Sequence, residues 1–455
     1  MRTLILAAAL AALPLAAQAQ TPTPEPSPAV RAMAAGYKAL TVCSALKTGE
    51  AAGGTRTLES VEANELVGVY PEIDSLVRGM PVEIGERQVS VPWDEAMPPR
   101  VAVFSPGRGC VIQPVGWTGE SPEIFLPGVR VNEPFATAEP DGDAALLNEA
   151  VEQAFEGDRY GEGINTTAVL VLQNDRIVAE EYADGFGVDT PQRTWSVGKS
   201  LAGTIIGTAV QRGEVDVNAP AAIADWSREG DPRAAITLDQ LMRMASGLTS
   251  DSAGNRTDAL YFGGVGIDEQ ATTWPLIAQP GTRYRYANND TLLAVLSIAP
   301  TFAQHPPAEL FRRLGMYDTW AETDWRGNYM LSSQVWTTAR DLARFGRLYL
   351  HDGVVDGERI LPEGWRDHVS RPSGPQPGGA QGYGATFWLM NNSEGVPADT
   401  ISANGNRGQY VIIVPSRNIV IVRRGEDPTG KRFDPVAFTR DVLAALDREE
   451  SAGAS

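Results

Sequence analysis

A serine and a lysine stand three positions apart at the start of a long apolar segment. They are Ser196 and Lys199, and the apolar residues that follow recur at helical spacing as far as Gly213. Positions i and i+3 lie on one face of a helix, so the lysine amine can lie beside the serine hydroxyl. The unpaired N–H groups at a helix N-terminus also favour a developing negative charge. The pattern therefore predicts a helix with an activated serine nucleophile in its first turn.

Other kinds of catalytic site fit this chain less well. Its three histidines, His305, His351 and His368, lack the spacing of zinc ligands, so we expect neither a metal nor a cofactor. Thr194 occupies the position at which the nucleophile elbow of α/β-hydrolases has glycine, which disfavours a Ser-His-Asp triad. Lysine is rare here, with four residues in the chain, and unlike arginine it can lose its proton when it is desolvated. Lys199 is therefore a candidate base.

A second serine and lysine with the same spacing occur near the N-terminus. They are Ser44 and Lys47, and the latter begins the triplet Lys47-Thr48-Gly49. No apolar helical run of comparable length follows them. We therefore interpret this segment as an exposed loop beside Cys43, without a catalytic role.

The N-terminus has the features of an export signal. Residues 1–19 contain Arg2, an apolar stretch over residues 4–15 and a small-x-small cleavage site at Ala17-Gln18-Ala19. Residues 20–29 are rich in proline and threonine and predict an extended tether. No later segment approaches the roughly 20 apolar residues of a membrane span. We expect a periplasmic or secreted protein without a membrane span.

Residues 30–140 form an N-terminal region whose function the sequence does not indicate. It contains both cysteines, Cys43 and Cys110, which export would allow to form a disulfide; two buried thiols are the alternative. A helix-like stretch is predicted over residues 58–76, and strands over 88–91 and 100–104. The formal charge of −19 disfavours nucleic acid and anionic membrane surfaces as partners.

Residues 145–446 have strand patterns at both ends and helical patterns between them. The predicted hairpins centre on turns at residues 173–176 and 415–418, and residues 385–390 are a further candidate strand. Distant strands imply one sheet with an inserted helical lobe, an α/β (α+β) architecture. The cleft between two such lobes is a usual place for a small-molecule site. A final helix is predicted over about residues 435–446. Residues 447–455 are polar, and we expect a disordered tail.

Several short segments occur together in one order along residues 145–446. They are residues 195–199, 237–248, 280–282, 286–288, 314–316 and 338–346. This ordered set resembles the superfamily of serine β-lactamases and penicillin-binding proteins. The likeness is to its class C-like branch, which includes esterases, D,D-peptidases and 6-aminohexanoate-dimer hydrolases.

The resemblance implies both a fold and a mechanism. The fold would be β-lactamase/transpeptidase-like, with an antiparallel sheet, flanking terminal helices and an inserted helical lobe. Ser196 would attack a carbonyl and form an acyl-enzyme, while Lys199 and Tyr286 share the proton transfers. Asn288 would hydrogen-bond the lysine or the substrate.

The family's third motif has Lys or His, any residue and then Gly on an inner strand. Its match here is Asn406-Arg407-Gly408, and the N–H of the following Gln409 would join that of Ser196 in an oxyanion hole. Asn406 carries no charge, and Arg407 should face the other side of the strand. We therefore predict weak activity on penicillins and D-Ala-D-Ala peptides, and better activity on small esters or amides that lack their carboxylate.

Two hypotheses of different classes follow from these patterns. The first is an exported serine hydrolase that acts on a small-molecule ester or amide, with β-lactamase or D,D-peptidase activity as the alternative. The second is a non-catalytic protein that binds or senses acyl ligands, suggested by the altered third motif. Rapid release of an adduct on Ser196 would indicate the enzyme. The sequence leaves the substrate identity and the oligomeric state open.

Overall fold

The computed structural model describes residues 25–119, 134–249, 258–372 and 374–447. The predicted signal segment, the first half of the predicted tether and all but the first residue of the predicted tail lie outside these ranges. The end of the predicted tether is helical, because helix α1 begins at Pro28. The Ser27 hydroxyl accepts a hydrogen bond from the Val30 N–H, and proline suits the first helical position.

The N-terminal region is built on one long helix and a four-stranded antiparallel sheet in the order β1-β2-β3-β4. Its elements are α1 (Pro28–Ala52), α2 (Leu58–Ala63), α3 (Asp74–Gly79), β1 (Glu83–Ile84), β2 (Gln88–Val91), β3 (Arg100–Ser105) and β4 (Gly109–Ile112). Helix α1 packs against β2, β3 and β4. The predicted disulfide is present and joins Cys43 of α1 to Cys110 of β4.

Two predictions for this region are wrong. The segment that contains Ser44 and Lys47 is part of α1, and Ser44 is buried instead of lying in an exposed loop. The helical stretch predicted over residues 58–76 is divided into α2 and α3. Gly68 between them has a φ of 63°, which no right-handed helix contains, and Pro71 disfavours helical geometry at the residue before it.

A seven-stranded antiparallel sheet forms the centre of the remaining chain, in the order β12-β13-β14-β15-β16-β5-β6. Its strands are β5 (Thr166–Gln173), β6 (Arg176–Tyr182), β12 (Gly382–Tyr383), β13 (Trp388–Leu389), β14 (Ile401–Gly405), β15 (Gln409–Val414) and β16 (Ile419–Gly425). The two predicted hairpins are present. Asn174 and Asp175 both have positive φ, as a two-residue hairpin turn of type I′ requires. The candidate strand over residues 385–390 is reduced to β13.

The central strands carry apolar residues on both faces because both faces of the sheet are covered. In β5, Leu170 and Leu172 belong to one hydrophobic core, whereas Val169 and Val171 belong to a second. The helices that flank the sheet are α4 (Ala144–Glu156), α11 (Ala339–Leu350) and α13 (Pro435–Leu446). Helices α4 and α13 pack together beside the second core, while α11 packs on strands β5, β15 and β16.

The helical lobe is inserted between strands β6 and β12, as predicted. Its helices include α5 (Val197–Gln211), α6 (Leu238–Met242), α7 (Asp258–Tyr261), α8 (Ile267–Gln270), α9 (Asn288–Ser297), α10 (Pro307–Arg313) and α12 (Trp365–Ser370). The short strands of this lobe are β7 (Gln192–Arg193), β8 (Thr319–Ala321), β9 (Val335–Thr337), β10 (Val354–Val355) and β11 (Glu358–Arg359). Helix α5 packs against β14 and β15 and so joins the lobe to the sheet. Within the described ranges, none of the helices combines the length and the apolar content that crossing a membrane would need.

Candidate active site

Helix α5 begins directly after Ser196 and ends where the sequence predicts. Ser196 is its N-cap residue, and Gly213 beyond its C-terminus has a φ of 75°. The helix is almost entirely buried between the sheet and the helical lobe. A Cβ atom at Gly198 would lie 2.7 Å from the carbonyl oxygen of Leu331, so only glycine allows the two segments to approach this closely. This approach brings the backbone at residues 331–333 beside Lys199.

The amine of Lys199 lies at the centre of a small polar cluster. Its Nζ is 3.1 Å from the Ser196 Oγ and 2.9 Å from the Ser332 carbonyl oxygen, and it also bonds to the Asn288 Oδ1. Lys199 is 1% exposed, and burial lowers the pKa of its ammonium group to about 7. A neutral amine has two N–H donors and one lone pair. The oxygens of Ser332 and Asn288 can take both donors, which leaves the lone pair for the Ser196 hydroxyl.

Tyr286 lies beside both Ser196 and Lys199. Its hydroxyl is hydrogen-bonded to Ser196, and the Lys199 Nζ is 5.1 Å from the centre of its ring. Burial raises the pKa of the Tyr286 phenol, so the hydroxyl keeps its proton near neutral pH. The structure thus brings Ser196, Lys199 and Tyr286 together, with Asn288 at the first position of α9 in contact with the lysine.

The third motif does not lie on an inner strand, and its predicted placement is wrong. Strand β14 ends at Gly405, and Asn406–Gly408 form a tight helical turn before β15. Gly405 is the strand residue beside Ser196: a Cβ atom there would lie 2.3 Å from the Thr194 carbonyl oxygen and 3.2 Å from the Ser196 nitrogen. The residue spacing fits the motif. However, Gly405 and Gln409 are the last pair between β14 and β15, so β14 ends before Asn406.

The three residues of this motif therefore do not line an inner strand. Asn406 is exposed on the turn, and Gly408, with a φ of 81°, packs against Arg423 and Asp427. The Gln409 side chain is 0% exposed and accepts a hydrogen bond from Arg424 at 2.6 Å. A role for its backbone N–H in an oxyanion hole stays a prediction. Strand β14 itself, Ile401–Gly405, contains no charged residue.

Two aromatic side chains that the sequence does not single out lie beside Tyr286. The Tyr286 ring lies 5.4 Å from that of Trp388 and 5.9 Å from that of Tyr383, measured between ring centres. Tyr383 lies on β12 and Trp388 on β13, and both strands are too short to be recognised from their alternation. The carbonyl of Ser332 was likewise not predictable, because any residue type supplies a carbonyl.

The sheet with its inserted helical lobe, and the serine and lysine where the two meet, define the class of serine β-lactamases and penicillin-binding proteins. The sequence profile of the Beta-lactamase family matches residues 150–446. The chain belongs to this family of serine hydrolases. The match begins beyond α1, α2, α3 and the four-stranded sheet.

Individual relatives agree with this assignment. The chain is 27% identical over 316 residues to a 6-aminohexanoate-dimer hydrolase from Paenarthrobacter ureafaciens, covering 62% of this chain and 79% of that protein. A candidate 6-aminohexanoate-dimer hydrolase from Bacillus anthracis superimposes with a TM-score of 0.56 at 22% identity, covering 69% of this chain and 87% of the other. An octameric penicillin-binding-protein homologue from Pyrococcus abyssi has a TM-score of 0.52 at 16% identity, over 67% and 77%. The two solved structures establish the shared fold.

Proposed function

We propose that this protein is an exported serine hydrolase that cleaves a small ester or amide through an acyl-enzyme on Ser196. The observation that carries the proposal is the environment of Lys199. Its amine is buried and directed at the Ser196 hydroxyl, and burial lowers its pKa to about 7. Such an amine can accept the serine proton near neutral pH, which a solvated lysine cannot do. Export is consistent with the disulfide between Cys43 and Cys110.

The reaction would proceed in two halves. The Ser196 Oγ attacks the substrate carbonyl carbon while its proton passes to the Lys199 Nζ. The oxyanion that forms lies at the N-terminus of α5, where the Ser196 N–H and the backbone at the end of β14 can stabilise it. The Tyr286 hydroxyl protonates the leaving oxygen or nitrogen and regains a proton from Lys199. A water molecule then attacks the acyl group, its proton passes to the same pair, and Ser196 leaves with a proton.

The lining of the site favours an uncharged group next to the scissile bond. Strand β14 offers no cation for a substrate carboxylate, and Trp388 and Tyr383 supply apolar surface beside Tyr286. A carboxylate bound there without a partner would lose its hydration without compensation. The relative from Paenarthrobacter ureafaciens is a hydrolase of an amide dimer, so short linear amides belong among the candidate substrates.

A substrate panel tests this proposal. We expect wild-type protein to hydrolyse p-nitrophenyl acetate and butyrate, and short linear amides more slowly. We expect kcat/KM for a chromogenic cephalosporin to be at least about 100-fold lower than for the better ester, the scale of one unpaired buried charge. Efficient cephalosporin hydrolysis would show instead that the site accepts a carboxylate. Intact-mass analysis separates enzyme from sensor: transient acylation of Ser196 supports the hydrolase, whereas a stable adduct supports a sensor.

The pH dependence should report the titration of Lys199. For a neutral ester, kcat/KM should rise from about pH 6 to about pH 8, because the protonated amine cannot accept the serine proton. Burial also raises the pKa of the Asp290 carboxyl to about 7, and Asp290 lies on the same helix as Asn288. The matched control is therefore Asp290→Asn, which should keep the wild-type midpoint. A profile that is flat over this range would contradict the role of Lys199.

A further inference from the structure

A segment of the N-terminal region lies directly against the turn that follows β14. The segment comprises residues 64–70, between α2 and α3, and Arg407 of the turn binds it. The Arg407 Nη2 donates to the Asn64 carbonyl at 2.8 Å, and Nη1 donates to the carbonyls of Val67 and Gly68 at 2.9 and 3.1 Å. These three acceptors lie outside the part of the chain that matches the family profile.

Every N–H group of the Arg407 guanidinium donates a hydrogen bond within the protein. Its Nε donates to the Glu426 carboxylate at 2.7 Å, and Nη2 also donates to the Glu426 carbonyl at 3.2 Å. All five N–H donors of the guanidinium are thereby used. The residue is 6% exposed, so the side chain faces the N-terminal region and is unavailable to a ligand in the cleft.

The backbone of Arg407 is held in an unfavourable conformation. Its φ is 56°, in the left-handed region, which is sterically unfavourable for a residue with a Cβ atom. Such a conformation persists when surrounding contacts determine it, and the bonds to Glu426 and residues 64–68 do so. Two residues earlier, the Gly405 backbone lies against Thr194 and Ser196. The side chain of Arg407 thus fixes the turn that continues from the strand beside the nucleophile.

The same segment also reaches the residue that precedes the nucleophile. The Tyr70 ring packs edge-to-face on the Trp195 ring, with 6.4 Å between their centres. Trp195 has a φ of 50°, and the Arg193 guanidinium lies 3.7 Å from its ring centre. The segment is itself anchored, since the Thr429 N–H donates to the Gly68 carbonyl at 2.9 Å. Residues 64–70 therefore contact both the turn that follows β14, through Arg407, and the residue before Ser196, through Tyr70.

We propose that Arg407 is a positioning residue for acyl transfer and that residues 64–70 are a fixed part of the active site. Arg407 touches no substrate: it holds the Gly405–Gly408 backbone at the distance from the Ser196 N–H that oxyanion stabilisation needs. A displacement of about 1 Å in such a site lowers the rate by about 100-fold. The N-terminal region is accordingly part of the catalytic unit. The catalytic half of this inference rests on the proposed function.

The test compares Arg407→Gln, Arg407→Lys and the control Arg340→Gln. Arg340 forms a two-pronged ion pair with Glu180 on β6, at the far edge of the sheet from β14. For each variant we would measure kcat and KM on p-nitrophenyl butyrate, the affinity for an arylboronic acid, and the thermal unfolding midpoint. The boronate adds to the serine and forms a tetrahedral adduct, so its affinity reports the oxyanion geometry.

We expect Arg407→Gln to lower kcat by about 10- to 100-fold with little change in KM, and to weaken boronate binding by a similar factor. Arg407→Lys should lie between it and wild type, because an ammonium group has three donors instead of five. Arg340→Gln should lower the unfolding midpoint and leave boronate affinity unchanged. Wild-type kcat and boronate affinity in folded Arg407→Gln would overturn the proposal. If Arg407→Gln does not fold, Arg407→Lys decides in the same way.

Hydrogen exchange separates this inference from the proposed function. Amides of residues 401–409 should exchange faster in Arg407→Gln than in wild type, whether or not the protein cleaves an ester. If wild type cleaves none of the esters, the proposed function fails. The hydrogen-exchange rates then still test whether the contact of Arg407 with residues 64–68 holds the turn in place. Unchanged exchange of residues 401–409 would overturn that contact.

Discussion

Replacing Ser196 by alanine should lower kcat for p-nitrophenyl esters by about 10⁴-fold or more. Ser196 is the hydroxyl that lies 3.1 Å from the Lys199 amine, and without it no acyl-enzyme forms. The residual rate would come from the remaining oxyanion donors acting on water. Steady-state hydrolysis and intact-mass labelling with a fluorophosphonate check this result, and Ser196→Ala should carry no label.

The chain provides a matched control in its second serine and lysine with the same spacing. The Ser44 hydroxyl is buried and donates to the Glu322 carboxyl group. Ser44→Ala should therefore keep wild-type kcat on folded protein while lowering the unfolding midpoint. Substantial ester hydrolysis by Ser196→Ala, or its loss in folded Ser44→Ala, would place the nucleophile elsewhere.

Replacing Lys199 by arginine should lower kcat by about 10³-fold, in the middle of the range for general acid–base catalysis. Arginine keeps a positive charge and hydrogen-bond donors but cannot lose its proton. A similar loss in this charged variant and in an uncharged one would trace the effect to proton acceptance and not to charge. Lys199→Met, which lacks the amine altogether, should show a similar loss. Both variants should still bind boronate measurably if the fold is intact.

A second buried lysine gives the control for this substitution. The Lys38 Nζ pairs with the Glu62 carboxylate at 2.8 Å and donates to the Met80 carbonyl at 2.8 Å, within the N-terminal region. Lys38→Arg preserves the charge of that pair and should leave kcat unchanged. If Lys199→Arg retained wild-type activity near neutral pH, Lys199 would not be the base, and Tyr286 would be the first candidate to replace it.

The elements that were predicted correctly are specified by residues that lie close together in the sequence. Helix α13, Pro435–Leu446, has the bounds predicted from the sequence, and the side chain of its N-cap Asp434 accepts hydrogen bonds from two backbone N–H groups of the first turn. The hairpin of β15 and β16 follows from two apolar runs around Pro415 and Asn418, and Asn418 takes the left-handed conformation. Caps, turns and apolar periods act over a few residues, so the sequence alone is sufficient for them.

The elements that were missed depend on what packs against them. Helix α1 has no polar face to mark its period, because the β1–β4 sheet and other parts of the protein cover most of its surface. The third motif was placed on a strand because its spacing fits. Only the pairing of Gly405 with Gln409 shows where β14 ends. A five-residue strand and a three-residue turn are too short for residue periodicity to separate.

The sequence by itself determined which residues could perform the chemistry: the spacing of Ser196 and Lys199, and the helix that begins between them. Tertiary structure decided how reactive they are. Lys199 meets Asn288 and Ser332 across 89 and 133 residues of chain, and Arg407 reaches Val67 across 340. A side chain's pKa and the position of a backbone N–H depend on every atom that excludes water around them. Those atoms come from segments distant in the chain, so their arrangement exists only once the protein has folded.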